Sequence, residues 1–230
     1  MNVNSHLVLL LAFCASASAN EAIFEPAAII DDYVAVSKAQ ETRLQGASME
    51  VDIEAEVPTL HKSGRLHALR RISALGRLIT YDALRFEGDR SIKNDVIARY
   101  LTAESEAVKS EPATLALTPA NYKFGYKGLI EKEGRKVYVF HVSPRKKRSG
   151  LFVGELWLDP ATHLPVRESG RLVKNPSVFV RKIEFVRNFR IEDGVSIPTH
   201  TESSVDTRLV GKANLSIAFT SVSLSVPESE

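Results

Sequence analysis

The sequence predicts an α+β chain in which one curved antiparallel sheet forms a half-open β-barrel, capped by an N-terminal helix and an internal helix. Three observations predict it. From residue 121 onward nearly every segment alternates or runs apolar at strand length, with turn chemistry between segments. Two stretches of helical periodicity stand earlier in the chain, at 29–44 and 92–109. The meander between Lys136 and Arg167 is too apolar for a sheet with a wet side. A sheet of ten or eleven strands tends to curl, which places the helices on its concave side.

Taken in order, Ile29 to Leu44 carries an apolar stripe of Ile29, Ile30, Tyr33, Val34 and Val36, and Gln45-Gly46 ends the helix. Met49 to Val57 alternates strictly, with Met49, Val51, Ile53, Ala55 and Val57 facing a core and Glu50, Asp52, Glu54 and Glu56 facing water. Strands follow over Arg65–Ala74 and Arg77–Phe86, with Arg70-Arg71 on a solvated face. The second helix spans Ile92 to Lys109, burying Val96, Ile97, Tyr100 and Leu101 and turning Glu104 and Glu106 to water. Residues 110–119 form a polar connection. Tyr122, Phe124, Tyr126, Gly128 and Ile130 share one strand parity. Val137 to Val142 is apolar at almost every position, and Pro144 to Gly150 reverses the chain. Leu151 to Leu158 returns with the only tryptophan, Trp157, and Asp159-Pro160-Ala161-Thr162 turns into a third strand. Phe179, Ile183, Phe185 and Phe189 share a parity, Asp193-Gly194 marks a hairpin, and segments 195–207 and 210–224 complete the sheet.

The N-terminus reads as an export signal: Leu7 to Cys14 is a short apolar run, and Ala17 and Ala19 occupy the small-residue positions before a cleavage site. The expected organisation is a signal at 1–19 and a single domain at 20–230, located in the periplasm. Leu11-Ala12-Phe13-Cys14 also approaches a lipobox, the less favoured alternative of a lipid-anchored form, although Phe13 is large for that position. Cys14 is the only cysteine, so cleavage leaves a domain held by its core alone. A net charge of +2 with both signs interspersed argues against a nucleic-acid partner.

No nucleophile elbow, zinc-protease helix or phosphate loop is present, and the histidines have no ligand spacing, so neither catalysis nor a cofactor nor a metal is expected. Two features remain. Arg145, Lys146, Lys147 and Arg148 form a basic turn that serves as a soluble hairpin tip or as a docking point for an acidic partner or anionic headgroups. The second is the apolar rows. Phe124, Tyr126, Phe140, Phe152, Leu156, Ile183, Phe185, Phe189, Ile217 and Phe219 are core residues of a closed sandwich, or line an acyl-chain cavity in an open sheet. A chain of some fifteen methylenes, at about 0.8 kcal/mol each, gains at most about 12 kcal/mol from burial there.

The order of these elements, with Leu156-Trp157-Leu158-Asp159-Pro160-Ala161-Thr162-His163-Leu164-Pro165-Val166-Arg167, resembles bacterial outer-membrane lipoprotein-sorting proteins. This is the LolA/LolB-like superfamily, which shares its fold with RseB-type sensor domains. The resemblance implies a monomeric, non-catalytic periplasmic carrier whose partners are the acyl chains of lipids or lipoproteins. It also implies an alternative, an envelope sensor or interaction module that binds a membrane-protein partner.

Overall fold

The computed structural model describes residues 25–74, 78–109, 112–132, 134–175, 180–208 and 211–224. The signal segment and Cys14 lie outside them, as does Phe179. Helix α1 runs Pro26–Arg43; proline at its first turn lacks an N–H that would go unpaired there anyway. Strands β1 (Ser48–Val57), β2 (Lys62–Ile72) and β3 (Ile79–Gly88) follow as a meander. A second helical stretch comprises α2 (Arg90–Ile92), a π-helical turn (Lys93–Ile97) and α3 (Ala98–Lys109). Asp89 caps its start by accepting from the Ser91 N–H at 2.7 Å. The wider π turn keeps Ile92 and Ile97, five residues apart, both buried on the sheet side.

A short helix α4 (Pro112–Leu115) precedes β4 (Tyr122–Lys132), β5 (Arg135–Pro144), β6 (Phe152–Leu158), β7 (Pro165–Leu172), β8 (Val180–Glu192), β9 (Val195–Thr207) and β10 (Lys212–Ser223). All ten strands form one sheet in the order β3-β2-β1-β10-β9-β8-β7-β6-β5-β4. Only the β1–β10 pairing joins distant parts of the chain; the other neighbours are consecutive and antiparallel. The ends, β3 and β4, do not meet, so the barrel stays open, as the expected fold class requires. No described helix is long and apolar enough to cross a membrane.

Three expectations need correction. The shared parity of Tyr122 through Ile130 breaks at Lys127, an extra residue in β4 with Gly128 beside it at φ +134°. Tyr122, Phe124 and Tyr126 face inward, while Leu129 and Ile130 end up exposed. Arg70 is buried rather than solvated, and Glu104 turns inward to meet it. The segment 112–117 is not a purely polar connection, because Leu115 and Leu117 pack on the core beside α1.

Candidate functional site

The register draws two rungs of inward side chains across the whole sheet. One runs Tyr126, Phe140, Leu156, then Glu168, Arg187, Thr201, then Ile217, Ile53, Leu66 and Phe86. The other runs Phe124, Val142, Gly154, Gly170, Phe185, Ser203, Leu215, Ala55, Gly64 and Gly88. The first is apolar toward both edges of the sheet, and β7 to β9 contribute polar or small residues in the middle of both except Phe185. The inner face therefore divides into two apolar cores with a polar seam between them.

Helix α1 covers the first core with Ile29, Ile30 and Tyr33, against Tyr122, Phe140, Leu156 and Leu158. Of the cavity candidates, Phe124, Tyr126, Phe140, Phe152, Leu156 and Phe185 gather here. Phe140 and Leu156 are fully buried, Phe152 nearly so, and Phe124, Tyr126 and Phe185 half-buried. Their rings meet edge-on or tilted: Phe152 meets Phe185 edge-on at 5.0 Å between centroids, and Phe140 lies 5.3 Å from Tyr126, tilted, and 6.5 Å from Phe124, edge-on. The second core lies under the α2–α3 stretch, and Ile217 and Phe219 belong to it. Ile183 and Phe189 are half-buried and belong to neither core.

Charge pairs that hydropathy alone does not reveal sit in the seam, between β7 and β8, and against the second core, between β2 and α3. Arg187 donates to Glu168 at 3.0 Å, and Glu168 is largely buried. Arg70 donates twice to Glu104, through Nε at 3.2 Å and Nη2 at 2.9 Å, and Glu104 also accepts from the hydroxyls of Tyr81 and Tyr100. Burial pushes the Tyr33 phenol well above its ordinary value of 10.0, with the Glu168 charge adding to the shift. Burial also raises Tyr100 and Tyr122. The fold thus favours neutral phenols: this stability is complete below pH 10 and drains away as pH rises beyond it. The urea midpoint should fall above pH 10 in the parent, and less steeply in Tyr33→Phe.

Close approach of β6 and β7 depends on glycine. A Cβ at Gly154 would run into the Ser169 carbonyl oxygen and lie 2.5 Å from Gly170 Cα. Gly154→Ala should therefore cost about 3 kcal/mol in urea unfolding.

Trp157 does not enter either core. It points outward, donates from Nε1 to Glu155 at 3.0 Å, and is covered by Arg167 at 5.2 Å and Lys132 at 5.1 Å from its ring. Its cross-strand partner Val139 is buried on this outer side, while Phe140 and Val142 are buried inside. The middle of β5 is thus covered on both faces, as its composition predicts.

A cavity of about 860 Å³ opens beside the second core. It is a broad groove across β1, β2, β3, β8, β9 and β10, lined by the outward residues Glu54, Glu56, Glu184 and Glu202 with Arg65 and Lys212, and by the second rung from Phe185 to Gly88. Phe185 is the only cavity candidate that reaches it. The basic turn, residues 145–148, is exposed beyond β5, with Arg145 Nε bonded to the Pro119 carbonyl at 2.7 Å. No group of three or more metal-ligating side chains occurs among the described residues.

No family profile and no curated protein matches the chain in sequence. Solved structures do match in fold. A DUF1329 family protein from Desulfovibrio piger superposes with a TM-score of 0.50 at 13% identity, covering 88% of this chain and 94% of that one. A domain described as an outer membrane lipoprotein-sorting protein, from Vibrio parahaemolyticus, gives a TM-score of 0.45 at 12% identity over 86% and 94% of the two chains. A LolA superfamily protein from Nitrosomonas europaea gives 0.39 at 12% identity over 88% and 94%. At such identities the likeness concerns the fold, and no residue role passes across. The chain is thus an open, ten-stranded antiparallel sheet with helices on it, and in fold it is similar to the DUF1329 family protein.

Proposed function

We propose that this protein is a periplasmic, non-catalytic carrier that shelters an acyl chain of a lipid or lipoprotein between α1 and the aromatic rows of β4 to β8. The observation that carries the reading is the way α1 sits on its core. Among its 18 residues only Ile29, Ile30 and Tyr33 are buried, and half-buried Phe124, Tyr126 and Phe185 pack against the same core. Two polar contacts hold it down: Asp32 to His163 at 3.1 Å and Gln40 Oε1 to the Ser196 N–H at 2.8 Å. Three apolar side chains contribute about 5–9 kcal/mol at about 1.5–3 kcal/mol each. An acyl chain of some fifteen methylenes offers about 12 kcal/mol before ordering costs, comparable with what holds α1, so the helix can shift to admit the chain beneath it.

A second reading, a sensor or interaction module that binds a membrane protein, draws on the free sheet edges. Leu84 on β3 and Leu129 on β4 are 56% and 48% exposed, and both edge strands carry a bulge beside the exposed residues. Native mass spectrometry of protein released from the periplasm separates the readings. The carrier predicts a population with added mass in the range of one lipid. A population uniformly at the mass of the bare polypeptide, with normal folding, favours the interaction module.

A further inference from the structure

The two ends of the sheet differ in charge. In an antiparallel meander alternate connections fall at one end, so β1–β2, β5–β6, β7–β8 and β9–β10 share a rim with the start of β4. On this rim Arg145, Lys146, Lys147 and Arg148 are exposed at one connection, and Lys174, Arg181 and Arg208 at the next two. No ion pair neutralises them among the described residues; at the same rim Lys62 pairs with Asp89 and Lys182 with Glu184. Of the acids nearby Glu54 pairs with Arg65, which leaves Glu56, bonded to the neutral Asn214 amide, with Asp206 and Glu87 as the main opposing charges. The opposite rim is mixed: Lys132, Arg135 and Lys136 stand with Glu131, and Arg190 pairs with Glu192.

We propose that the basic rim docks on an anionic lipid surface. With strands about 4.8 Å apart, successive rim connections lie about 10 Å from one another, so the free cations form a band rather than a pocket. A spread of single charges on separate turn tips suits the diffuse negative charge of a bilayer better than one acidic peptide. Leu60, 47% exposed in the β1–β2 connection, adds an apolar side chain on the same rim. The inference deepens the carrier reading, since a lipid would be taken from or delivered to a bilayer. Vesicle binding nevertheless reads surface affinity alone and can fail while acyl uptake succeeds.

The test is sedimentation of the purified chain with vesicles. Binding is expected to vesicles containing phosphatidylglycerol, to be weak with pure phosphatidylcholine, and to fade at high salt. Replacing Arg145, Lys146, Lys147 and Arg148 together with Ser should lower partitioning at least about tenfold. Its melting temperature should stay nearly unchanged, because exposed charges contribute little to stability. Lys146→Arg with Lys147→Arg should bind as the parent does. If the quadruple variant unfolds, Lys174→Ser with Arg181→Ser reports on the same rim from a separate turn, and should weaken binding several-fold. Equal binding to both vesicle types, or unchanged binding by the folded variants, overturns the proposal. So does capture by immobilised polyglutamate without vesicle binding, which would give the rim to an acidic protein.

Discussion

Glu104→Ala is expected to lower the unfolding free energy by about 3–5 kcal/mol, among the largest effects of any single polar substitution here. The carboxylate is the common acceptor for Arg70, Tyr81 and Tyr100, and the Arg70 side chain is only 10% exposed. Removing Glu104 leaves the guanidinium inside the fold with little beyond the Met49 sulfur, 3.6 Å from Nη1. Glu104→Gln should recover part of the loss, because it keeps an acceptor while surrendering the charge. Urea unfolding followed by circular dichroism reads both. A loss below about 1 kcal/mol for Glu104→Ala would mean that water replaces the carboxylate, as at a surface pair.

Phe140→Ser and Phe185→Ser should behave differently, although both side chains face inward and share their chemistry. Phe140 is 1% exposed and contacts Phe124 and Tyr126, so its loss should cost at least about 3–5 kcal/mol and threaten the fold. Phe185 is half-buried at the seam, opposite Gly170 and Ser203, and its ring leans on Phe152. Its replacement should cost about 1 kcal/mol and mainly weaken binding of an acyl ligand. Thermal melting beside binding of a fluorescent fatty-acyl probe distinguishes them. Equal collapse at both positions would make Phe185 ordinary core.

What the sequence discloses follows from how regular each element is. Strict alternation from Met49 to Val57 reports its buried face directly, and the structure buries those five side chains. The stripe in α1 is equally plain at Ile29, Ile30 and Tyr33. Bulges and the π turn each insert one residue, and a period carried past such a point gives the wrong face, as at Leu129 and Ile130. Gly128 is a visible hint of the β4 bulge, since its φ of +134° suits glycine alone. The inward charge pairs stayed hidden for another reason. Arg70, Glu104, Glu168 and Arg187 look like surface charges until the register sets 168 opposite 187 and packing brings 70 to 104. One aromatic lining was expected; instead Glu168 and Arg187 stand between two apolar cores, and Arg70 with Glu104 lies against the second.

The most direct measurement is a titration of the purified chain with a fluorescent fatty-acyl probe, followed by competition with a lysophospholipid. The carrier account predicts saturable uptake of one probe per chain, displacement by the competitor, and weaker affinity for Phe185→Ser at nearly unchanged melting temperature. A folded parent protein that takes up no probe would contradict it, leaving α1 as a fixed part of the core.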